Sequence, residues 1–149
     1  MKDQKQLEFE IAGRPSGVAE LDLVVPFTTP DLTRIALDAA GRMGAGLDAA
    51  VRLVKVQVVP IQLNPEQSPV YLDFLKAQLE QFQSTLPLKG EIRLSRDFEP
   101  GLTSALRKDS VVILATKRRP WRTLTERLAR SLRRSGHKVI IVSEGVKNA

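Results

Sequence analysis

The run Ala115 to Leu132, ATKRRPWRTLTERLARSL, gathers Lys117, Arg118, Arg119 and Arg122 around Pro120 and Trp121, with Thr123 next in line. Four cations and a hydroxyl at the opening of a helix suit one kind of chemistry, the holding of a phosphate or another anion. Lys and Arg form charge-assisted hydrogen bonds to it, and the helix dipole adds to them. Glycine is the usual device at such a turn, because it lets backbone amides approach the phosphate. No glycine stands here. Four cations this close repel one another when no anion is present, and ordering their long side chains costs entropy. A solvated surface, or acids of a partner subunit, are the competing uses of the cluster.

The rest of the chain offers no catalytic constellation. His137 is the only His; it opens the last strand, has no acid beside it, and reads as a turn or surface residue. Asp22, Asp31 and Asp38 lack metal-ligand spacing. Capping and surface roles account for Asp31 and Asp38, and Asp22 is out of place in an apolar strand unless it marks the strand's start. Ser and Thr occur without a base and an orienting group to activate them. With no Cys, disulfides, thiolate metal sites and thiol chemistry are excluded. The expectation is a protein that is not an enzyme and holds no metal.

Charge is unevenly spread. Lys117 to Lys138 carries nine Lys or Arg against one acid, Glu126, whereas the remainder has 14 bases and 16 acids. The whole basic excess sits in one helix and its approach, which points to an anionic partner. Arg127, Arg130 and Arg134 form one stripe of that helix, and Trp121, Leu124, Leu128 and Leu132 form the other, read as the face packed on a sheet. The Arg stripe has no interleaved aromatics and no helix-turn-helix around it. Nucleic acid is therefore not the expected partner; if bound, it would be held by charge alone, without sequence preference.

These residues need a scaffold to position them. At 149 residues, 42% hydrophobic and 27% charged, the chain fits one soluble-type domain with a sizeable core. No run approaches the length of a membrane span, and MKDQKQLEFE lacks a signal peptide's apolar stretch. The expected compartment is the cytoplasm. Leu7, Phe9 and Ile11 alternate with Glu8 and Glu10 as in a half-buried strand, and GRPSG breaks it. Residues 1–20 are thus an extension, either a tail or an added strand, before a domain over 21–149. In that domain LDLVV reads as a buried strand. A helix follows, capped by Thr29 with Pro30 at its first position, its apolar stripe Leu32, Ile35, Ala36, Ala39 and Met43, stopped by Gly44 and Gly46. Ala49 to Val59 is the next strand. Pro69 opens a helix with Tyr71, Leu75, Leu79, Phe82 and Leu86 on one face. Gly90 to Ser95 is a strand, Glu99 to Lys108 a short helix, Ser110 to Ala115 a strand. The basic helix ends at Ser135 and Gly136, and HKVIIV is the last strand. Five alternations of strand with helix argue an α/β fold: a five-stranded parallel sheet with helices on both faces, plus the N-terminal strand if it joins. Ligands bind such sheets at the strands' carboxyl ends where strand order reverses, here after Val25 and after Ala115.

The succession LVVPFTTPDLTRIALDAA, VQVVP, SVVILATKRR and TERLARSLRRSGHKVIIV resembles the universal stress protein family over Leu21 to Ser143. The resemblance implies the strand order 3-2-1-4-5 and a non-catalytic regulatory or interaction module. It also implies a homodimer through the last strand, whose Val139, Ile140, Ile141 and Val142 are apolar and uninterrupted by Pro. The family also occurs as cytoplasmic appendages of membrane transporters. Its ATP-binding members carry G-x2-G-x9-G-[S/T] after the fourth strand. Here Ala115 and Arg118 stand at the first two glycines, Arg122 falls near the third and Thr123 at the hydroxyl position. The loop is about six residues shorter than that motif. Thr28, after Pro26, takes the place of the Asp that helps hold the nucleoside, and Val58 offers only a backbone contact. ATP is therefore not expected as a cofactor. A phosphate or nucleotide held by Pro26, Thr28, Val58, Thr116, Lys117, Arg118, Arg122 and Thr123 is the second reading.

Overall fold

A computed structural model describes residues 5–12, 20–59, 69–117 and 124–143. The elements in chain order are β1 (Lys5–Ala12), β2 (Leu21–Pro26), α1 (Pro30–Met43), β3 (Ala49–Val58), α2 (Pro69–Leu79), β4 (Leu88–Ser95), α3 (Phe98–Thr103), β5 (Val111–Thr116), α4 (Leu124–Arg134) and β6 (Lys138–Ser143). They form one six-stranded sheet in the order β1-β4-β3-β2-β5-β6. The sheet is mixed, which corrects the five-stranded parallel expectation. β2 to β6 pair in parallel, and β1 runs antiparallel along β4.

Strand alternation sorts the core into two layers. On one face Leu23, Val25, Leu53, Ile92 and Leu94 meet Ala36, Leu37 and Ala40 of α1 and Leu75 and Leu79 of α2. On the other, Val24, Val54, Val56, Val112 and Leu114 meet Leu102 of α3 and Ala129 and Leu132 of α4. Strands buried on both sides read as near-continuous apolar runs, which is why β2 and β5 stand out in the sequence. Gly101 lets α3 lie close: a Cβ there would come within 2.7 Å of Val56 Cγ1 and 2.9 Å of Ser95 Cβ.

Several boundaries and faces differ from expectation. α3 is six residues, starting at Phe98 and ending at Thr103, not a helix to Lys108; Ser104 to Ser110 closes the layer as turns instead. α2 ends at Leu79, so Phe82, still buried, sits in the loop beyond it. Met43 is exposed at the last turn of α1, while Leu37 and Ala40 are buried in its place. Leu124 is 77% exposed. Leu spacing alone puts it on the packed face of α4, but the contact is centred on Ala129 and Leu132, one to two turns further on. Among the described residues β6 pairs only with β5, and has Val139 buried, Ile140 39% exposed, and Ile141 and Val142 in between.

β1 adds to the sheet through side chains. Leu7, Phe9 and Ile11 pack on the α1/α2 layer, and Phe9 lies opposite Gly90 of β4. A Cβ on Gly90 would meet the Phe9 ring at 2.5 Å, so glycine leaves the seat that the ring fills. Gly90→Val should push that ring out and loosen β1, at a cost of about 1–3 kcal/mol typical of overpacking. Amide hydrogen exchange over residues 5–12 should accelerate while β2, β3 and β5 keep their protection. Unchanged exchange in β1 would show that its ladder, and not the ring, holds it.

Candidate functional site

The carboxyl ends of β3, β2 and β5 lie side by side, and β2 is where strand order reverses. Pro26, Thr28, Val58, Thr116 and Lys117 lie at these strand ends, Val58 four residues beyond the rung that pairs Pro26 with Val54. Arg118, Arg122 and Thr123 lie outside the described residues, as do Arg119 and Trp121. Phe27 N–H donates to Val54 O at 2.8 Å, continuing the parallel ladder past Pro26. Thr28 N–H donates to the buried Oγ1 of Thr33 at 3.1 Å, and Leu32 N–H to Thr29 Oγ1 at 3.2 Å. Thr33 N–H closes the first helical bond to Thr29 O at 2.9 Å. Pro30 has no N–H to give. The start of α1 is thus capped from within its own turn.

Val58 is 44% exposed; its carbonyl accepts from Gln57 Nε2 at 3.4 Å, and Val59 N–H ties the strand end to Ser95 O at 2.8 Å. Thr116 is buried and its hydroxyl reaches Lys117 O at 3.4 Å. Lys117 is exposed. Thr125, in the first turn of α4, donates through Oγ1 to Ala115 O at 3.1 Å, which fixes the helix to the end of β5. Lys55 is a further cation near the turn, and sequence reading did not single it out. Its Nζ stands 4.4 Å from the centroid of the Phe27 ring, and burial pushes its pKa below the ordinary lysine value.

At the opposite end of the strands, on the α3/α4 face, lies a buried polar cluster. Arg52 donates through Nε and Nη2 to the two oxygens of Asp22 at 2.9 and 2.8 Å, and through Nη1 to Glu91 Oε1 at 2.9 Å. Arg93 Nε donates to Glu91 Oε2 at 2.7 Å, and its Nη1 to Ser104 Oγ at 3.0 Å. Ser110 Oγ donates to Asp22 Oδ2 at 2.5 Å and accepts from Arg107 N–H at 2.8 Å. Glu91, Ser110 and Arg52 are nearly inaccessible. Asp22 and Glu91 face Arg52 and Arg93, with the half-exposed Arg107 at the rim, 3.8 Å from Asp22 Oδ1; every carboxylate oxygen is engaged, so the cluster joins strands. Asp22 is therefore not a mere strand start. Arg52, Glu91 and Arg93 escaped the sequence reading; the available signal was a charge at 52 inside the apolar run Val51-Arg52-Leu53-Val54. Burial on its own raises the Asp22 pKa. The hydrogen bonds from Arg52 and Ser110, with the charges of Arg52 and Arg107, outweigh it and bring the carboxyl below its ordinary value. Burial likewise works against the charge on Arg52, and the Asp22 and Glu91 partners override it, raising its pKa. Among the described residues no group of three or more His, Asp or Glu could hold a metal ion, and no helix is long and apolar enough to cross a membrane.

No family model matches the chain, and no curated protein matches it. Among solved structures it is similar to a universal stress protein in complex with cAMP, at 21% sequence identity and a TM-score of 0.48, over 85% of this chain and 98% of that one.

Arg52→Met should leave Asp22 and Glu91 as buried carboxylates short of a partner, and should lower the free energy of urea unfolding by about 3–5 kcal/mol. A loss below about 1 kcal/mol would mean that the cluster is easily replaced. Asp22 has a second signature. Its folded pKa lies below the unfolded value of about 3.9, so its contribution is complete above that value and is lost as pH falls from there through the folded pKa. Asp22→Asn should therefore be less stable than the parent at neutral pH, and the gap should narrow below about pH 4. Parallel unfolding curves that keep the same gap throughout would contradict the assignment.

Proposed function

We propose that the chain is a non-catalytic, universal stress protein-like regulatory or interaction module that assembles as a homodimer and does not hold ATP at the strand ends. One observation carries the reading. The turn after β2 spends its polar groups on capping α1, through Thr28 N–H to Thr33 and Thr29 Oγ1 to Leu32, and position 28 has no carboxylate. The glycines that would cradle a triphosphate are replaced as well. A site without either half of its grip binds nucleoside and phosphates weakly. The dimer reading rests on β6, which among the described residues is an edge strand with one unpaired side, and on an exposed Ile140; two copies paired about a two-fold axis would satisfy both.

Capture of a phosphate is the second reading. It is favoured by Lys117 standing exposed at the end of β5, immediately before the basic turn, with α4 anchored to that strand end by Thr125. Charge alone would hold such an anion, so its affinity should fall steeply with salt.

Isothermal titration with ATP and Mg²⁺ at about 0.15 M salt should give no saturable heat below about 1 mM. A micromolar dissociation constant would refute the main reading. Light scattering should give twice the 16.5 kDa chain mass, and Ile140→Lys, a change at an exposed position, should return the protein to a folded monomer. A monomeric parent, or a dimer indifferent to this substitution, would remove β6 as the interface.

A further inference from the structure

A groove of about 290 Å³ opens between α1 and the end of α2, on the layer opposite α3 and α4. Phe27 and Phe82 wall it as an edge-to-face pair with centroids 6.0 Å apart. Phe74 stands on its lip, 63% exposed. Arg34 and Gln78 also line it. The Arg34 guanidinium lies 5.7 Å from the Phe82 centroid and forms an exposed ion pair with Asp31 at 3.8 Å, too long for a hydrogen bond. Gln78 Oε1 is buried and has no hydrogen-bond partner among the described residues.

We infer that this groove binds a small aromatic acid: one or two planar rings bearing an N–H or O–H donor and a single carboxylate. The inference does not rest on the strand-end reading. Three aromatic rings around one concavity, one of them mostly in water, select a flat apolar body. The volume is at the small end of ligand pockets, which span about 300–1,000 Å³, and so favours one or two rings over a nucleotide. The Arg34 guanidinium, with only a long, exposed ion pair to Asp31, matches a planar carboxylate through two parallel hydrogen bonds. A dianionic phosphate is disfavoured by the acid beside Arg34 on this groove's continuation, Asp38; Lys55 lies against the Phe27 ring and does not line the groove. The Gln78 amide supplies the last element. Because no hydrogen bond holds its oxygen, the amide can swing to the groove without losing one, and a ring donor then satisfies an acceptor that is otherwise left unpaired at a cost.

Indole-3-acetate is a suitable probe, with indole lacking the carboxylate and naphthalene-1-acetate lacking the donor. Amide chemical shifts followed by NMR in the full chain should saturate and map to α1, α2 and Phe82. Indole-3-acetate should bind about tenfold tighter than either comparison probe. Arg34→Ala should reduce it to the level of indole, and Gln78→Leu to the level of naphthalene-1-acetate. Phe74→Ala, at an exposed site that does not threaten folding, should weaken all three. Absence of saturation up to about 10 mM would overturn the inference. So would shifts confined to the turns after β2 and β5, or equal affinities across probes and variants.

Discussion

A guanidinium inside a sheet must find acceptors for its N–H groups, or burying it costs far more than it returns. Arg52 meets that demand with Asp22 on β2 and Glu91 on β4, and Ser110 at the threshold of β5 joins the same carboxylate. One side chain thereby fixes the relative positions of four adjacent strands. The arrangement also answers a gap in the layer above it. α3 lasts only six residues, too short to roof this part of the sheet with apolar side chains. The connection after it closes the space with Ser104 and Ser110, which hydrogen-bond into the cluster. A hydrophobic replacement of similar volume could be as stable, but it would have to remove all the charges together.

Fixing the strands at one end leaves the other to the turns. At the carboxyl ends the chain satisfies itself: the turn after β2 caps α1, and α4 binds back to β5. The two ends therefore differ in kind. The first is a lattice of ion-paired side chains with the half-exposed Arg107 at its rim. The second is a set of turns whose cations, Lys117 and the half-buried Lys55, have no carboxylate among the contacts described for them.

The alternation of apolar and polar residues made the strands legible, and Thr29-Pro30 made the start of α1 legible, because both signals are local. LEFEI declared itself a strand for the same reason. Its partner was not legible, since the sheet edge it joins is set by β4, some 80 residues away in sequence. The polar cluster failed to show for a related cause: Arg52 meets Asp22 and Glu91 across separations of 30 and 39 residues. Nothing near any one of them announces the others. On α4 the error was one of centring. Leu124, Leu128 and Leu132 share a face, but a helix touches a twisted sheet over part of its length, and the contact falls on Ala129 and Leu132.

The groove between α1 and α2 follows from where α2 stops. Had the helix continued past Leu79, Phe82 would have followed its stripe; instead the loop turns Phe82 back onto Phe27. The pair seals the core at that level and leaves the concavity above it unfilled. Phe27 belongs to two structures at once. Its backbone N–H extends the β2–β3 ladder to Val54 O, and its ring carries Lys55 on one side and Phe82 on another. The strand-end turn and the groove are therefore not independent surfaces. They share a residue that can shift its ring only by disturbing the cation beside it, and its backbone only by breaking the last rung of the ladder that positions Thr28.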